Sequence, residues 1–133
     1  MITTEQIIQS SGTPVVDLED LATTIDALMA LERDASACAV AMVAGDEHCT
    51  MGVATRAALD CADTASTAHR VLSRVAAADV TVMRAVVEAA AVAADRCAKE
   101  CGGSSHAHCQ IHVESSRRAA GACWALLKRL PAV

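Results

Sequence analysis

The 133-residue chain is predicted to be all-α, an antiparallel up-down four-helix bundle. Three features predict it. Apolar residues recur at helical spacing through four long stretches, Gly, Pro and Asp punctuate the joins, and no stretch shows the two-residue alternation of a half-buried strand.

Residues 1–16 are polar, contain Gly12 and Pro14, and read as an N-terminal arm; the bundle is assigned to residues 17–133. Asp17 stands where a side chain caps a helix, with Asp20 favourable in the first turn. From Leu18 the apolar positions Leu21, Ile25, Leu28, Met29, Ala35, Cys38 and Met42 keep helical spacing, and Gly45-Asp46 ends this first long helix. The second runs from about His48 to Val75 and carries Val53, Ala57, Cys61, Ala65, Ala68 and Leu72. "AAAD" at 76–79 breaks the chain, with Asp79 as the next cap. The third helix spans Val80 to Cys101 and is stopped by Gly102-Gly103. Ser104 or Ser105 caps the fourth, which continues to Leu130 before Pro131. Long helices with short joins pack as antiparallel neighbours.

Composition narrows the function. With 53% hydrophobic and 20% charged residues the chain is not a disordered one. It has no Phe or Tyr and one Trp, Trp124, so alanine-rich faces must approach closely. Net charge is −5 and no basic block occurs, which argues against nucleic acid as a partner. No apolar run is long enough to span a bilayer, so no membrane is expected. "MITTEQIIQS" has neither the basic nor the apolar part of a secretory signal, so the expected compartment is the cytoplasm, where thiols stay reduced. The seven cysteines then read as ligands, redox thiols or small core residues rather than disulfides.

Topology gathers the chemistry at one end. In an up-down bundle the first and third connections share an end, called here the mouth. Cys38, Met42, His48, Cys49 and Met51 flank the first connection; Cys97, Cys101, His106, His108, Cys109 and His112 flank the third. At the rise of a helix, Cys38, Cys97, Cys109 and His112 sit about 6–10 Å below the mouth, Cys61 about 16 Å and Cys123 about 27 Å. Cys97 with Cys101, and Cys38 with Met42, are one turn apart on a face, as are Cys109 and His112. Facing pairs of this kind build metal sites inside bundles. Thiolate, imidazole and thioether together favour Cu(I) or Zn(II) over Mg or Ca, and thioether, a poor zinc ligand, tilts the choice toward Cu(I). The candidate metal ligands are Cys97, Cys109 and His112, then Cys101, Cys38 and Cys61, with His108, Met42 and His106 nearest the mouth. The plainer reading of such residues is packing: cysteine and methionine also fill cores, and histidine also faces solvent. No Ser-His-Asp set, phosphate loop, Glu-x-x-His pair or paired carboxylate assigns catalytic residues.

"LDCADTASTAHRVLSR" (59–74), "VMRAVVEAAAVAADRCAKEC" (82–101) and "HAHCQIHVESSRRAAGACWALL" (106–127) resemble the bacterial cytosolic copper storage proteins. The resemblance covers about residues 20–130. It implies a bundle filled with Cu(I) on C-x3-C pairs, a His/Met-lined mouth through which metal passes, and assembly into tetramers. Cys38, Cys61, Cys97, Cys101, Cys109 and Cys123 keep family cysteine positions. Ala54, Ala65, Ala90, Ala94, Ser116 and Ala119 stand where the family has cysteine, as do His112, Met42, Ala35 and Leu31. The deep string of thiols is therefore absent, and bulk storage is not expected. The lost sulfurs leave either a cavity beside the donors or helices drawn closer together.

The reading that follows is a low-capacity copper-binding bundle with a Cys/His/Met site near one end, acting as buffer, chaperone or sensor. The first alternative is a copper-dependent enzyme, an oxidoreductase acting on a small-molecule substrate in an alanine-lined pocket. The second is a metal-free structural bundle.

Overall fold

The computed structural model describes residues 1–11, 16–45, 52–74 and 79–132. It contains a short helix α1 (Thr4–Ser11) and four long ones: α2 (Leu18–Gly45), α3 (Gly52–Leu72), α4 (Val80–Cys101) and α5 (Ala107–Arg129). No strand occurs among the described residues. Helix α2 packs on α3 and α5, and α4 on the same two, so the four long helices form a square with α2 opposite α4 and α3 opposite α5. The expected arm is partly helical. Its α1 lies against α2, and the Thr4 hydroxyl donates to Asp26 Oδ1 at 2.6 Å.

Two of the expected caps form. Asp17 Oδ1 accepts from the backbone N–H of Glu19 (2.9 Å) and Asp20 (3.2 Å), and Asp79 Oδ1 accepts from Val82 N–H at 3.2 Å. Each satisfies donors that the first turn of a helix leaves without partners. The cap expected from Ser104 or Ser105 does not form. His106 takes the N-cap position of α5, in extended conformation and without a side-chain cap bond. Ser104 Oγ instead accepts from His106 N–H at 3.2 Å, one step before the helix. The preceding turn is tight. A Cβ at Gly102 would meet the carbonyl oxygen of Ala98 at 2.7 Å, so this position accepts only glycine without a shift of backbone.

The core divides along the bundle axis. Away from the mouth it is aliphatic: Leu21, Ile25, Leu28, Leu72, Met83, Val87 and Leu126 are buried there. Arg84 donates to the Leu127 carbonyl at 3.2 Å, and Arg129 pairs with Asp20 at 3.1 Å, both at this end. Toward the mouth small residues take over. Ala54, Ala65, Ala90, Ala94, Ser116 and Ala119 are all buried, with exposures of 0–7%. Small side chains let the helices close on one another at these positions. A groove of about 730 Å³ opens instead on the outer side, between α3 and α4, over Ala57, Asp60, Glu88 and Ala89. Trp124 is not core either: it is partly exposed, and its indole N–H donates to Asp95 Oδ2 at 2.8 Å, tying α5 to α4.

Candidate metal centre

Four helices deliver donors to the mouth. The C-terminal half of α2 brings Cys38, and α3 brings Cys61 from the middle of its length. The last turn of α4 brings Cys97 and Cys101, and the first turns of α5 bring His108, Cys109 and His112. The five cysteines and His112 are fully buried, and His108 is half-buried.

The donors fall into two sets rather than one. The outer set joins Cys38, His108 and Cys109. Cys38 Sγ lies 3.2 Å from His108 Nδ1 and 3.9 Å from Cys109 Sγ, and Cys109 Sγ lies 3.4 Å from the same Nδ1. The inner set joins Cys61, Cys97 and His112, whose donor atoms all lie within 4.8 Å of one another. Cys97 Sγ is 3.1 Å from His112 Nε2. Cys101 adjoins the inner set, with its sulfur 4.0 Å from Cys97 Sγ and 3.9 Å from His112 Nδ1. Two sulfurs bound to one ion at about 2.3 Å and a trigonal angle lie about 4 Å apart, so these separations suit a shared soft ion. Sequence spacing had grouped Cys109 with Cys97 and His112. The structure gives Cys109 to Cys38, because α2 and α5 are direct neighbours, and gives His112 to Cys61 diagonally across the core.

The remaining candidates stand around these sets. His106 is exposed and stacks on His108, with ring centroids 5.3 Å apart. Met42 is buried one turn nearer the mouth than Cys38 on the same face. Cys123 lies deep, near Leu126, away from both sets. His48, Cys49 and Met51 fall outside the described residues. His69 pairs with Glu32 at 2.6 Å on the α2–α3 flank.

Burial and neighbouring thiols keep Cys38, Cys97 and Cys101 protonated in the metal-free protein. Burial pushes the Cys38 thiol up to about 12, with help from neighbouring Cys109 and Cys101. Cys101 is pushed up by its contact with Cys97 and by burial. At Cys97 the contact with Cys101 works downward, but the contact with Cys61 and burial outweigh it, and the thiol rises. His108 is lowered, first by burial and then by His106 and His112, so its ring is neutral and free to donate a lone pair near pH 7. A soft cation that replaced these thiol protons would be held by sulfur and imidazole from side chains that are buried apart from the half-buried His108.

Residues 17–128 match the copper storage protein family. The chain belongs to that family. The copper storage protein from Streptomyces lividans loaded with ten copper equivalents superposes with a TM-score of 0.90 at 30% identity, over 96% of this chain and all of the other. A variant of that protein with two histidines replaced by alanine gives a TM-score of 0.83 at 32% identity, over 86% of this chain and 98% of the other. The same organism's cytosolic copper storage protein carrying five coppers gives 0.81 at 31%, over 85% and 96%. None of the curated proteins matches the chain. Copper is thus the ion that a protein of this family binds.

Proposed function

We propose that the chain binds copper as Cu(I), in small number, about one to four ions per chain, and acts as a buffer or chaperone rather than a bulk store. One observation carries this reading: soft donors converge in two sets at the mouth, while the layers below them are lined by Ala65, Ala90, Ala94 and Ala119, which offer no ligand. Cys38, His108 and Cys109 take one ion, and Cys61, Cys97, Cys101 and His112 take another. Met42 and His106 hand ions inward from the mouth. The copper-dependent enzyme would need an alanine-lined pocket beside the donors; the tightly buried alanines favour the binder.

The bundle is proposed to work in the cytoplasm, as the Streptomyces lividans relative described as cytosolic does. Homo-oligomers, tetramers by family resemblance, are the proposed assembly. Exposed Val40, Val43, Val53 and Leu59 on the outer faces of α2 and α3 support an apolar contact of that kind. No helix among the described residues is long and apolar enough to cross a membrane.

Titration of the reduced protein against a chromophoric Cu(I) chelator tests the reading. Saturation at about one to four ions per chain is expected. Uptake of more than about ten would make the chain a bulk store after all, and no uptake would leave the cysteines as core residues.

A further inference from the structure

Ser116 is fully buried, and its hydroxyl is the buried side-chain oxygen without a hydrogen-bond partner among the described residues. Its neighbours in kind behave otherwise. The hydroxyls of Thr24, Thr64, Thr67 and Ser73 each donate to the carbonyl four residues back, at 2.7–3.1 Å. That is the usual resting place of a hydroxyl on a helix. Ser116 does not donate to His112 in this way, and its oxygen is shut off from solvent inside the bundle.

Its position relates it to the inner set. Ser116 lies one turn below His112 on the same face of α5, as Ala65 lies one turn below Cys61 in α3. In α4, which runs the other way, Ala94 lies about one turn below Cys97. These three small residues, all fully buried, form the layer directly beneath the inner donors. Cα–Cβ bonds tilt toward the N-terminus of a helix, so the Ser116 side chain leans up α5 toward that set. An unbonded buried hydroxyl is destabilising where it stands. A thiol is a weak acceptor. A copper-bound thiolate is a strong one, since each thiol that takes Cu(I) releases its proton and keeps the charge on sulfur.

We propose that Ser116 is a positioning residue of the inner set, whose hydroxyl donates a hydrogen bond to a cysteine sulfur of that set once Cu(I) has displaced the thiol proton. This rests on the copper-binding function proposed above. The layer below the donors then has a role of its own: the orphan hydroxyl disfavours the empty protein and favours the loaded one.

The test is Ser116→Ala, made in the Cys38→Ala, Cys109→Ala background so that Cu(I) competition reads the inner set alone. The expected outcome has opposite signs in the two states. The metal-free thermal midpoint rises by about 3–6 °C, because an unpaired buried oxygen is removed. Cu(I) affinity falls about tenfold, because a charge-assisted bond is lost. Ser116→Thr, which keeps the hydroxyl, keeps the affinity within about threefold. A purely structural serine would move stability down in both states. An affinity unchanged within about twofold, or a lower metal-free midpoint or loss of folding in Ser116→Ala, overturns the proposal and leaves the copper function standing if the parent protein still takes Cu(I). If the parent takes none, both fall together.

Discussion

The two ends of the bundle use the same four helices for different work. The end away from the mouth is closed by Leu21, Ile25, Leu28, Leu72, Val87 and Leu126, large side chains whose burial favours folding by about 1.5–3 kcal/mol each. The mouth end replaces them with Ala, Cys and His, which bury less apolar surface and carry the donors. Stability is concentrated where there is no chemistry, and chemistry where the buried side chains are small. The fold can therefore stand with alanine rather than cysteine along its interior, because large aliphatic side chains at the other end supply most of the apolar burial.

The comparison can be broken most directly at the mouth. Cys97→Ala together with Cys109→Ala takes one sulfur from each donor set. It should weaken Cu(I) binding by at least about a thousandfold, beyond the 10–100-fold that outer partners of a metal site command. The metal-free thermal midpoint should hardly change, since alanine already fills equivalent core positions. Chelator competition and a melting curve on the same sample read both effects. If the metal survives the double change, the donors lie elsewhere.

Leu28→Ala probes the other end. It should cost about 2–5 kcal/mol of unfolding free energy while leaving the copper count of the folded protein as it was. Denaturant unfolding measures the first and Cu(I) titration the second. A loss of copper sites in the still-folded variant would show that the two ends are coupled.

pH acts on the mouth with two signs. The raised thiols hold their protons, so Cu(I) must compete with them. Apparent affinity should rise about tenfold per pH unit for each thiol deprotonated, measured between about pH 6 and 8. The metal-free fold responds in the opposite sense. The stability associated with the raised Cys38 is fully present below about pH 9, where the unfolded thiol titrates, and is lost as pH rises toward about 12. A copper affinity flat in pH would mean that the ions bind without displacing thiol protons.

Much of this division could be read in the sequence. Helical periodicity located the four long helices, and Asp17 and Asp79 marked two starts, because capping is a local matter of a few residues. The gathering of sulfur and imidazole at one end followed from connection order alone. The split into two sets did not. It depends on how far each helix is rotated and on which pairs face diagonally, and neither is fixed by spacing along one helix. His106 took the N-cap from the serines because the Gly102–Ser105 turn, not the cap residue, sets where α5 begins. Ser116 read as nothing more than a missing cysteine, since an unpaired hydroxyl is visible only once its surroundings are. The Asp95–Trp124 and Glu32–His69 bonds were illegible for the same reason: each joins two helices at positions that by themselves look solvated.

The smallest effects belong to residues outside both ends. Cys123→Ala should leave Cu(I) affinity within about twofold of the parent, because Cys123 is about 21 Å along α5 from Cys109. Glu32 is held below its ordinary value first by its bond to His69, and burial only partly offsets this. Its contribution is present above about pH 4.5 and lost as pH falls below that, so Glu32→Gln should flatten the acid limb of the stability curve between about pH 5 and 3. Acid melts of the two proteins compare the slopes.

The turn after α4 carries a consequence for how such a site can change over generations. Gly102, at the turn that leads from α4 to α5, has no room for a side chain against the Ala98 carbonyl. The two helices it joins carry Cys97 Sγ and His112 Nε2, which lie 3.1 Å apart. A methyl group at residue 102 touches neither donor, yet it would force a shift of backbone at the turn between the two helices that carry them. Gly102 therefore acts as a gauge block, setting a tolerance that the ligands themselves cannot adjust. Residues along these helices can differ one at a time without disturbing the donors only while that block stays in place.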